Sequence, residues 1–252
     1  MLLGCHPRIC APSETPWVFG VYGDDISLRA LLRQLCTSKY GPVSSIGGVS
    51  SNDVHLAAEQ FVLNIFDGKM RAEQKDTLVL KTPDDIVFID EILEVFRRSI
   101  VIHVRRDVRD VALSTTATGW SHLNFFGVNN FDNSVRRWVA WEKQLEAAKA
   151  RNADRIISIR YEDLVLRPEI TLRRIVQRLH LSYHPEMLSY WKHTHGAPEW
   201  DLGSLNAANF RNIEPTRALA YRKHLPSAEQ RRIIADHESD IIAFGYAPGW
   251  DE

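Results

Sequence analysis

The sequence predicts an α/β fold in which a parallel sheet is flanked by helices. Two observations lead there. Short apolar or β-branched runs stand at 77–80 (TLVL), 99–104 (SIVIHV) and 155–159 (RIISI), each bounded by charge. Each is followed by a stretch whose apolar residues recur with helical period. Strands that alternate with helices pack in parallel, because each helix carries the chain back to the start of the next strand.

The 252 residues are 44% hydrophobic and 25% charged, enough to bury a core without covalent staples, and read as one domain over 1–252. Cys5, Cys10 and Cys36 make an odd count without CxxC spacing, which argues against a disulfide framework and for a reducing compartment, and the lack of a signal makes a cytoplasmic location the expectation. A formal net charge of -1 argues against a strong non-specific hold on nucleic acid or anionic membrane. IVIHVRRDVRDVAL is interrupted by charge well short of the roughly 20 apolar residues a membrane span needs. The opening LLGC lacks the charged and apolar regions that would make it a secretory cleavage box.

Taken in order, the chain opens on MLLGCHPRICAPSETPW, rich in proline and carrying one carboxylate, Glu14. In DDISLRALLRQLCTSKYG, Leu28, Leu31, Leu32 and Leu35 share a helical face, with an acidic pair to cap the start and Gly41 past the end. SNDVHLAAEQFVLNIFDGK follows a Gly/Ser loop as a second helix. TLVL then stops at Lys81 and a proline, and DDIVFIDEILEVF resumes the helical period. SIVIHVRR leads into DVRDVALSTTA, whose aspartate suits an N-cap. An aromatic, amide-rich loop precedes a long helix with Val135, Trp138, Trp141 and Leu145 on one face, where the tryptophans read as core. RIISIRYEDL is followed by a helix opened by Pro168, with apolar residues at 172, 175, 176 and 179. PSAEQRRIIADHESDIIAFGY is the last amphipathic helix, capped by Ser227 and closed before Gly245.

Open parallel sheets bind ligands beyond the carboxyl ends of their strands. The residues there are Lys81, then Arg105 and Arg106 leading to Ser114, then Arg160 and Tyr161. Guanidinium groups pair with phosphate oxygens, a helix N-terminus adds amide donors, and a tyrosine ring can stack on a base, so the set suits a phosphorylated nucleotide. Solvated strand ends carry the same residue types.

The order of these segments resembles the sulfotransferases that use 3′-phosphoadenosine 5′-phosphosulfate (PAPS), particularly the bacterial and tyrosylprotein branches, along nearly the whole chain and most thinly over 20–75 and 180–215. VRRDVRDVALS is similar to their 3′-phosphate signature, which implies that Arg106 and Ser114 hold that phosphate. RYEDL implies Tyr161 beside the adenine, and VLKTPD implies Lys81 as the cation near the transferred sulfuryl group. HPRICAPSET resembles the segment that presents the general base, which implies Glu14. The resemblance also implies a P-loop-NTPase-like sheet and an acceptor site bordered by 20–75 and 180–225. The acceptor hydroxyl or amine belongs to a small molecule, a carbohydrate or a peptide tyrosine, and no metal takes part.

Two departures accompany the match. Nothing reads PRSGTT, and Met1 falls a few residues after that loop's expected end, so the expectation is an N-terminally truncated chain without its first strand and 5′-phosphosulfate loop. The basic loop before the last helix, GRWR in relatives, corresponds to LAYRKHL, with Leu219 and Ala220 in place of the glycine and first arginine, Arg222 kept, and Arg217 as a substitute. The alternatives are a non-catalytic remnant that binds adenosine 3′,5′-bisphosphate or a protein partner, and a P-loop kinase-like phosphotransferase, for which no Walker lysine is found. Zinc spacing, HExxH and a GxSxG elbow are absent from the sequence.

Overall fold

The computed structural model describes residues 2–12, 15, 18, 27–118, 130–192, 212–247 and 249–250. The chain forms two compact units, Met1–Ser99 with His184–Tyr190, and Ile100–Tyr183 with Trp191–Glu252.

In the first unit, a 3-10 turn at Leu2–Cys5 leads into strand β1 (Ile9–Cys10), both of whose residues are fully buried. Helix α1 (Leu28–Thr37) is capped by Ser27, whose hydroxyl accepts from the Ala30 amide; the acidic pair expected to cap it lies outside the described residues. Leu32 is the buried member of its stripe, and Leu31 is exposed. A single turn, α2 (Pro42–Ser45), begins with proline at a position whose amide would have no helical partner. Helix α3 (Ser51–Ala72) starts with a reciprocal capping box between Ser50 and Asp53 and ends with Lys69 and Arg71, both favourable to its dipole. Strand β2 (Thr77–Leu78) pairs with β1 in parallel, Ile9 opposite Thr77 and Cys10 opposite Leu78. A 3-10 segment, Pro83–Phe88, runs into α4 (Ile89–Val95). Leu32, Val54, Ala58 and Val95 join these helices in one apolar cluster.

The second unit is built on β3 (Val101–Arg105) and β4 (Ile156–Arg160), parallel along their whole length with Arg105 opposite Arg160. Helix α5 (Val108–Thr118) follows β3 and packs against α6 (Phe131–Arg151). Helices α7 (Tyr161–Leu166) and α8 (Pro168–Arg178) follow β4, and Leu172, Ile175 and Val176 are buried as their spacing predicts. The expected last helix is two, α9 (Ala228–Asp236) and α10 (Glu238–Ala243), broken at His237. Val108, Ala112, Val135, Trp138, Ile234, Ile241 and Tyr246 belong to one core, so the first turns of α5 are anchored in apolar packing. Among the described residues no helix is long and apolar enough to cross a membrane, and no cluster of three or more His, Cys, Asp or Glu could hold a metal.

Candidate nucleotide site and candidate catalytic strand ends

Successive residues of an extended chain point to opposite faces, and at the end of β3 this alternation divides the labour of Arg105, its last residue, and Arg106, just beyond it. Arg105 faces α6: its Nε donates to Glu142 at 2.7 Å, it also pairs with Glu146, and its Nη1 donates to the Phe244 carbonyl at 3.3 Å. His103, two residues earlier on the same face, has Nε2 3.1 Å from Glu142. Arg105 therefore fastens the strand to its neighbours, although it stands at a strand end where ligands bind.

Arg106 turns the other way. Its guanidinium carbon lies 4.6 Å from the centre of the Tyr161 ring, one Nη donates to the Arg217 carbonyl at 3.1 Å, and the same Nη is 3.4 Å from Asp110. Its Nε is buried with no hydrogen-bond partner among the described residues. Its own carbonyl accepts the Trp138 indole N–H at 3.0 Å, so this core tryptophan also holds the backbone of the site. A buried N–H of a charged group left without an acceptor costs free energy, and an anionic oxygen placed beside it would recover that cost.

Around Arg106 lies a buried ionic framework. Asp107 is fully buried, and its carboxylate accepts from the Arg109 amide at 2.9 Å, Arg109 Nε at 2.9 Å and Arg109 Nη2 at 2.6 Å. The first of these is an N-cap of α5, as the sequence predicts; the other two form a forked ion pair. Burial works against the charge on Arg109, but the Asp107 hydrogen bonds and charge outweigh it and hold the guanidinium above its ordinary value. Tyr221 covers it, its ring centre 3.9 Å from the guanidinium carbon. The Asp107 amide donates to Glu162 at 3.0 Å, and the Tyr246 hydroxyl donates to the other Glu162 oxygen at 3.1 Å. Glu162 follows Tyr161 directly, so it ties the turn that carries Tyr161 to the turn that carries Arg106.

The structure thus brings Arg106 and Tyr161 together. Ser114 is exposed on α5, one helical turn beyond Asp110 and on the same face. Arg217 contributes its carbonyl to Arg106, while its side chain pairs with Glu214 at 2.8 Å. Arg222 is exposed in the 3-10 turn Ala220–Lys223, and Tyr221 beside it is core. Leu219, at the position where the resemblance implies a glycine, adopts the left-handed conformation (φ 56, ψ 35) that glycine takes at no cost. The sequence reading missed the Asp107, Arg109, Asp110 and Glu162 framework. Its signal was there in the charge density of RRDVRD and RYED, which a solvated strand end would also show.

In the first unit, Lys81 is exposed three residues past β2. The Glu14 side chain lies outside the described residues, but its neighbour Thr15 does not. The Thr15 amide donates to Thr82 Oγ1 at 3.3 Å, and both residues are buried. Upstream, the Val79 amide donates to the Cys10 carbonyl at 2.9 Å. The two parallel strands thus run out of the same end, and beyond it the residue after Glu14 is fastened to the residue after Lys81. β1 lies in a stretch whose sequence carries no strand signal.

Residues 1–185 match the profile described as "Sulfotransferase family". The chain belongs to the sulfotransferase family. The matched span contains Lys81, Arg106, Ser114 and Tyr161, with Arg217 and Arg222 beyond it. The omega-hydroxy-beta-dihydromenaquinone-9 sulfotransferases of Mycobacterium bovis and Mycobacterium tuberculosis are each 32% identical over 187 residues, 69% of this chain and 42% of theirs. The chain thus spans less than half the length of these relatives. Two solved structures share the fold. The sulfotransferase domain of the Synechococcus PCC 7002 olefin synthase aligns with a TM-score of 0.61 at 21% identity, covering 97% of this chain and 88% of that one. The sulfotransferase domain of the curacin biosynthetic pathway aligns at 0.58 and 17%, covering 93% and 90%. The parallel strands and flanking helices are those of the P-loop-like sulfotransferase fold.

Proposed function

We propose that this protein transfers a sulfuryl group from PAPS to an acceptor hydroxyl, with adenosine 3′,5′-bisphosphate as the product nucleotide. The observation that carries the reading is Arg106, set between the Tyr161 ring and the start of α5, with a buried Nε that has no acceptor among the described residues. That combination suits a phosphate beside a purine. Arg106 and Ser114 hold the 3′-phosphate, and Tyr161 lies against the adenine. The fastening of Thr15 to Thr82 supports a shared role for Glu14 and Lys81. Glu14 accepts the acceptor proton as the new S–O bond forms. The bond from sulfur to the 5′-phosphate oxygen breaks, its electron pair stays on that oxygen, and Lys81 offsets the charge growing there. A hydroxyl acceptor, as in the curated relatives' names, is preferred to an amine.

The test is sulfuryl transfer from PAPS to a panel of hydroxyl acceptors, read as bisphosphate release. Glu14→Gln removes most turnover and spares bisphosphate binding, whereas Arg106→Ala weakens binding first. Unchanged activity in both variants would overturn these residue roles. Bisphosphate binding without turnover in the unmodified chain favours a binding protein, and a preference for ATP with Mg²⁺ favours a phosphotransferase.

A further inference from the structure

Asp110 stands outside the signature residues, yet its two carboxylate oxygens face different parts of the site. One accepts the Tyr221 amide at 2.7 Å, and the other lies 3.4 Å from Arg106 Nη2, buried and without a hydrogen-bond partner among the described residues. The residue is 3% exposed, so its charge meets little solvent and acts chiefly on its neighbours. Tyr221 is wedged between the Arg109 guanidinium and the Trp250 ring, which fixes the amide that Asp110 holds. The chain reaching Tyr221 passes through Leu219, in the left-handed conformation, from Arg217, whose carbonyl takes the same Arg106 Nη2. Asp110 and the 217–221 segment therefore form one bracket around one end of the guanidinium, and the Tyr161 ring covers its face. With that end held, Nε is left as a buried donor without an acceptor among the described residues.

We infer that Asp110 is a positioning residue for nucleotide selection: it orients Arg106 so that a 3′-phosphate is recognised, and it couples that recognition to the placement of the 217–221 segment. The inference rests on the nucleotide site proposed above. A planar guanidinium has one plane and a fixed fork, so fixing one Nη decides where Nε and the other Nη point. Helix geometry supplies the bracket, because Asp110 sits in the first turn of α5, at the position where its side chain returns toward residue 106.

The test is the ratio of affinities for adenosine 3′,5′-bisphosphate and adenosine 5′-monophosphate, measured by calorimetric titration. Asp110→Asn keeps an oxygen for the Tyr221 amide but turns an NH2 toward Arg106, donor against donor. The ratio should fall by about tenfold, as expected for losing orientation of a charge-assisted contact. In an Arg106→Ala background the same substitution should change the ratio by less than about twofold, because Asp110 acts through Arg106. A merely structural role would lower thermal stability and leave the ratio unchanged, and that result overturns the inference. Arg106→Lys supplies a second test that does not depend on the folding of Asp110→Asn. It keeps the cation and loses the fork, and should lose as much of the ratio as Arg106→Ala; full retention by lysine also overturns the inference. If the unmodified protein does not prefer the bisphosphate at all, it is the nucleotide-site reading that fails.

Discussion

Replacing Asp107 by alanine should nearly unfold the second unit, and the size of the effect follows from its contacts. The carboxylate is fully buried and accepts three N–H groups of Arg109, a residue that is itself 1% exposed. Alanine leaves that guanidinium with the Tyr221 ring and the Asp110 charge in place of its forked carboxylate partner. Removing one partner of a buried ion pair costs about 3–5 kcal/mol, because the remaining guanidinium can neither shed its proton nor reach water. Loss of the α5 cap adds about 1 kcal/mol. The sum, about 4–6 kcal/mol, is comparable with the ~5–15 kcal/mol that holds a whole domain together. Urea denaturation at pH 7, followed by tryptophan fluorescence, measures it as a fall in midpoint. Asp107→Asn/Arg109→Met should recover much of the loss, since no buried charge is then orphaned. A loss below about 1.5 kcal/mol for Asp107→Ala, at unchanged slope, would refute the reasoning by showing that water solvates Arg109.

Three further outcomes are expected. Burial first, and then the charge of Glu162, push the Tyr246 phenol above its ordinary value. The folded state thus keeps this proton longer than the unfolded chain, so the contribution is full below pH ~10 and is lost as pH rises beyond it. Tyr246→Phe should be less stable at neutral pH and should lose stability less steeply above pH ~10, as read by urea midpoints; parallel profiles would contradict this. Leu219→Val should cost at least about 1 kcal/mol in a thermal melt, because a β-branched residue fits the left-handed region poorly. Leu219→Gly should stay within about 1 kcal/mol of the parent, the relief of backbone strain offsetting the contact that Leu219 makes with the core. Ser50→Ala should destabilise by about 1 kcal/mol through loss of the α3 capping box.

How far the sequence could be read depended on whether a signal was local. The capping of α9 by Ser227, the proline start of α8 and the buried stripe at 172, 175 and 176 are set by neighbours three or four residues apart, and each was legible. The break at His237 was not, because neither proline nor glycine announces it. β1 is two residues long, too short for an alternation pattern, and exists through its pairing with residues 77–78. At the site, the strand-end positions of Arg105 and Arg106 were legible, but their division of labour was not. It depends on Glu142, Asp110 and Arg217, which lie up to 111 residues away in sequence. The same holds for Tyr221, which resembles a loop residue and is locked in the core by Asp110 and Arg109.

The most direct measurement is a calorimetric titration of the unmodified protein and of Arg106→Ala with adenosine 3′,5′-bisphosphate and adenosine 5′-monophosphate. The unmodified protein is expected to prefer the bisphosphate, and Arg106→Ala to lose this preference by about tenfold or more, with the monophosphate affinity little changed. Equal affinity of the unmodified protein for both nucleotides, or a preference that survives in Arg106→Ala, would contradict this.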